Sequence, residues 1–116
     1  MSVAQNADQE RVIAANIVEQ LQKVNDQPDK FIGDTDPSNL LMWLEGFNTA
    51  CGVFGFQQGY IRHDAILKLV ALERGWEYRS TGLAAEMKER GLRDSVIIEE
   101  LLTIEIETWK RTYGLA

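Results

Sequence analysis

The apolar residues of this chain recur at intervals of three and four, segment after segment, and nowhere sustain the alternation of a half-buried strand. That spacing leaves an all-α fold as the expectation. Ile13, Ile17, Leu21 and Val24 share one helical face and predict a first helix from near Asn6 to Val24, with Glu10, Arg11, Glu19 and Lys23 on its polar side. Asn25 to Gly33, which contains Pro28 and several turn formers, reads as a loop. A second helix begins at Pro37: Asp36 is a good acceptor for the free N–H groups of the first turn, and proline there gives up a donor that would have no partner. Leu40, Leu44, Phe47, Cys51 and Phe54 form its stripe, and Leu41, Met42 and Trp43 add apolar surface on other sides. A helix apolar around most of its circumference is covered on several sides, so this one is expected at the centre.

A third helix is expected after a cap at His63 or Asp64, with Ala65, Leu69, Leu72 and Trp76 on its buried face and Gly75 as a left-handed stop. A short fourth helix should start at Ser80 or Thr81 and end at Gly91. The fifth runs from a cap at Asp94 to about Tyr113, with Ile98, Leu102, Trp109 and Tyr113 on one face, widened by Ile97, Leu101 and Ile104. The expectation is therefore one compact all-α bundle of about five helices with a buried central second helix. It spans residues 1–116 as a single helical domain, frayed at 1–5 and 115–116. Trp43, Trp76 and Trp109 are evenly spaced, as in a helical repeat, but the residues that follow each of them do not repeat.

At 116 residues with 45% apolar side chains, the chain can bury a core without disulfide or metal. Its formal charge of −6 is concentrated early, where the first 58 residues hold three basic against eight acidic side chains. A negative surface repels phosphate backbones, so nucleic acid is not an expected partner. Cys51 is the single cysteine and reads as a buried free thiol, which places the protein in a reducing cytoplasm. No basic leader with an apolar core stands at the N-terminus and no apolar run approaches ~18 residues, so neither secretion nor membrane insertion is expected.

His63 is the only histidine, which removes the histidine-rich zinc and di-iron arrangements, and one cysteine removes the thiolate kind. No metal or cofactor is expected. Cys51, set between Phe47 and Phe54, has the apolar surroundings that quiet a thiol. The strongest enzymatic hint is acidic: Glu86-x-x-Glu89, then Glu99 and Glu100, could hold magnesium if the four carboxylates converged. The all-α nucleotide pyrophosphohydrolases, however, pair such a motif with a later Glu-x-x-Asp, and neither Glu100-x-x-Thr103 nor Glu105-x-x-Thr108 supplies the aspartate. A helix-turn-helix over 83–101 would carry Glu86 and Arg90 where apolar residues belong, and Glu99 and Glu100 on its recognition helix.

Two segments are richer in functional groups than a turn requires. Gly55 to Asp64 offers Gln57, Gln58, Tyr60, Arg62 and His63, and Trp76 to Thr81 offers Trp76, Tyr78 and Arg79, the residue types that dominate binding hot spots. These eight are the candidate binding residues. The expected function is a non-enzymatic, protein-binding or regulatory helical module whose partner is another protein or its own copy as a homodimer. The alternatives are a small magnesium-dependent hydrolase using Glu86, Glu89, Glu99 and Glu100, and a small-ligand domain with a crevice between the second and third helices, lined by Phe54, Phe56 and Tyr60.

Overall fold

The computed structural model describes the backbone of residues 3–28, 30, 37–53, 57–77 and 82–115, and the side chains of 9–28, 30, 37–44, 46, 62–77 and 82–115. Among the described residues there are five helices and no strand: α1 (Val3–Asp26), α2 (Pro37–Val53), α3 (Gln57–Glu73), α4 (Leu83–Glu89) and α5 (Asp94–Thr112). Pro37 opens α2 as its fixed φ favours, while the expected cap Asp36 lies outside the described residues. Part of the expected loop after α1 is helical instead, since Lys30 N–H donates to Gln27 O at 3.2 Å.

The architecture is an all-α bundle arranged around its last helix. α5 packs against α1, α2, α3 and α4. Ile97, Ile98, Leu101, Leu102, Ile104, Ile106 and Trp109 are all buried, so this helix is apolar around most of its surface and needs cover on every side. The expectation of a central second helix is corrected here. Its described core residues are Pro37, Leu40 and Leu44, whereas Leu41 is exposed and Met42 is 72% exposed. Over its described side chains α2 carries apolar residues on its outer side as well as its inner one.

Two faces are rotated relative to the periodicity. On α1 the buried row is Ala14, Val18, Leu21 and Val24, with the small Ala14 taking the place of Ile13, which is exposed. On α3 the change is larger. The helix begins six residues before His63, so His63 is no cap but an interior residue, and it turns inward with Val70 and Ala71. Of the expected core stripe, Ala65, Leu69 and Leu72 lie on the outside, with Leu69 52% and Leu72 64% exposed, whereas Trp76, past the end of the helix, is buried as expected.

Helix ends follow the glycines closely. Gly75, at φ 90°, stops α3: its N–H donates to Leu72 O at 3.0 Å and Trp76 N–H donates to Ala71 O at 2.9 Å. Gly91, at φ 86°, does the same for α4 through Lys88 O and Met87 O. Both are left-handed stops in which the final carbonyls of the helix find donors. The fourth helix starts at Leu83 after Gly82, and the expected caps Ser80 and Thr81 lie outside the described residues. At the fifth, the expected cap Asp94 is instead the first helical residue, and Arg93 holds the capping position without a side-chain bond to the first turn.

Candidate functional site

The inward turn of α3 brings the only histidine against the central helix. His63 Nε2 donates to Glu105 Oε1 at 2.9 Å, and Trp109 Nε1, one turn further along α5, donates to the same oxygen at 3.2 Å. The His63 and Trp109 rings stand 4.9 Å apart at 59°, and Trp109 in turn stacks on Tyr113 at 5.4 Å. His63 is 4% exposed and Glu105 equally so, making this a polar cluster inside the core. Thr108 and Thr112, beside it on α5, return their hydroxyl protons to Ile104 O and Thr108 O, so the helix satisfies them internally. The other ring nitrogen, Nδ1, is buried and has no hydrogen-bond partner among the described residues.

A second cluster closes the α3–α4 corner. Trp76 Nε1 donates to Glu100 Oε1 at 3.2 Å, and Arg74 grips both oxygens of that carboxylate. The Arg74 hydrogen bonds hold Glu100 below the usual carboxylate range against its burial, with Trp76 and the charge of Arg74 adding to the effect. The same pairing holds Arg74 above its ordinary value. The guanidinium of Arg90 lies 4.7 Å over the Trp76 ring, donates to Gly75 O at 2.9 Å and reaches Glu86 Oε1 at 2.9 Å. Glu86 itself is 3% exposed, and its Oε2 has no partner among the described residues.

No family model matches this chain, and neither does any curated protein or solved structure. The site therefore rests on its own geometry.

The acidic set does not converge. Glu86 is bound to Arg90, Glu100 to Arg74 and Trp76, while Glu89 and Glu99 are exposed. Among the described residues no three His, Cys, Asp or Glu side chains come together as a metal-holding group. Of the candidate binding residues, His63 is in the core with Glu105, Arg62 is exposed on the outer side of α3, and Trp76 is buried beneath Arg90 as part of the corner. Gln57, Gln58 and Tyr60 lie on the first turn of α3 with side chains outside the described residues. The side chains of Cys51, Phe54, Phe56, Tyr78 and Arg79 lie outside them too.

The burial of Glu105 and Glu86 escaped the sequence reading, yet each had a signal. Glu105 stands in the row Ile98, Leu102, Glu105, Trp109, an acid interrupting an apolar face, and Glu86 follows Leu83 by one turn in the same way. An acid in a buried row needs a donor within reach, and the only histidine and an arginine at i+4 are what the fold supplies. No helix of the described residues is long and apolar enough to cross a membrane.

Proposed function

We propose that this chain is a helical protein–protein interaction module that presents the outer face of α3 to a protein partner. The observation that carries the reading is the row Ala65, Leu69, Leu72, set one turn apart on the solvent side of a helix whose opposite side holds the buried His63, Val70 and Ala71. Isolated exposed leucines are ordinary, but a row at i, i+4 and i+7 is the pattern by which a helix face is read by a partner. The exposed Leu41 and Met42 on α2, the neighbour of α3, extend the same character. The magnesium reading lacks converging carboxylates, since two of the four are held by arginines.

A photo-crosslinking residue placed at Leu72, and separately at the exposed polar Gln20 of α1, tests this in a cell that makes the chain. Protein adducts from position 72 and few from position 20 are expected. Equal yields from the two positions would remove the reading.

A further inference from the structure

The charges on one flank of the α3 row are arranged as a palindrome. Arg62 and Glu73 stand about three helical turns apart, roughly 16 Å along the axis, and so lie on one line down the same flank of the row. Midway between them is the Leu67–Lys68 peptide, which falls inside the Ala65–Leu72 stretch. On the opposite flank, Asp64 and Lys68 form an i,i+4 pair at 3.2 Å with side chains 55% and 54% exposed. A contact between identical faces related by a two-fold axis brings each flank against itself with the direction reversed. Reversal about the Leu67–Lys68 midpoint sets Arg62 opposite Glu73 of the second copy, and Glu73 opposite Arg62 of the second copy. On the opposite flank it sets the two Lys68 side chains near one another, each within about one helical turn of Asp64 of the other chain, so the attraction is carried by the Arg62–Glu73 flank.

The two groups on the Arg62–Glu73 flank have capacity for those contacts. Arg62 is exposed and engages no partner among the described residues. Glu73 gives Oε2 to Arg111 and leaves Oε1 unengaged among them. On the Arg62–Glu73 flank the strip therefore matches its own reversed image in sign, with the apolar row beside it.

We infer that the partner is a second copy of this chain, docked antiparallel along the outer face of α3, with the apolar row against itself and Arg62 against Glu73 on the charged flank. This rests on the interaction reading above and goes beyond it by naming the occupant.

Light scattering after size-exclusion chromatography, over a range of concentrations, tests it with the full chain and two charge reversals. The wild type is expected to dimerise. Arg62→Glu and Glu73→Arg are each expected to weaken the dimer by roughly tenfold, because each turns two attractive contacts into repulsions. An equimolar mixture of the two variants should recover dimers, since the two acidic positions of one variant then face the two basic positions of the other. Thermal unfolding of Arg62→Glu, at a dilution where the wild type is monomeric, should match the wild type, which separates lost docking from lost folding. A wild type that stays monomeric at every concentration, or variants that weaken the dimer but are not rescued by mixing, would overturn the antiparallel pairing. A monomeric chain whose position 72 still captures another protein would leave the interaction reading standing, whereas a monomer without such adducts would remove both.

Discussion

His63 joins two helices through one oxygen atom. Glu105 Oε1 receives both the imidazole and the Trp109 indole, in a place where water does not reach to replace either donor. Removing one partner of a buried polar pair costs far more than the pair contributes, because the remaining group keeps its desolvation. His63→Ala is therefore expected to lower stability by about 3 kcal/mol in urea titration, and a loss below about 1 kcal/mol would mean that Glu105 finds another donor. Glu100 provides a pH-dependent contribution of known sign. Its carboxyl lies below the usual value of about 4.3, first through the Arg74 hydrogen bond, so it stabilises the fold above that value and the contribution is lost as pH falls through the lower folded value. Denaturant titrations from about pH 6 down to pH 3 should show the wild type losing stability more steeply than Glu100→Gln.

At the scale of the helix, ends were more legible than faces. Gly75 and Gly91 end α3 and α4 because only a residue without Cβ adopts their positive φ at little cost. No atom stands within 4 Å of where a Cβ at Gly75 would project, so Gly75→Ala carries only the backbone penalty, expected at about 1 kcal/mol by thermal unfolding. Faces were read less well, and α3 explains why. Its residues from Ala65 to Leu72 contain two apolar rows, Ile66–Leu67–Val70–Ala71 and Ala65–Leu69–Leu72, and periodicity cannot rank one above the other. What separates them is packing against α5, with the bond from His63 to Glu105 as one part of it, and such long-range contacts are invisible to a window of a few turns. The double variant Leu69→Asp, Leu72→Asp should accordingly change monomer stability by no more than about 0.5 kcal/mol, while Val70→Asp should unfold the chain, as circular dichroism with denaturant will report.

Across the whole molecule, one helix serves as the common wall for the other four. α5 was legible as a long amphipathic helix, but its central place was not, since α2 is the more apolar of the two in sequence and only packing places α5 at the centre. Leu102, fully buried on α5, should cost about 2–5 kcal/mol when replaced by alanine, against about 0.5 kcal/mol or less for Met42→Ala on α2, by the same denaturant titration. The chain is synthesised in the opposite order to its dependence. α1 to α4 leave the ribosome before the helix they all pack on exists, and the principal contacts of α1, α3 and α4 are with that helix. Until α5 emerges, the nascent polypeptide has amphipathic helices and nowhere to put them. A ribosome that stalls or terminates before residue 94 thus releases a product that proteases and chaperones can tell apart from the finished protein by its stickiness alone.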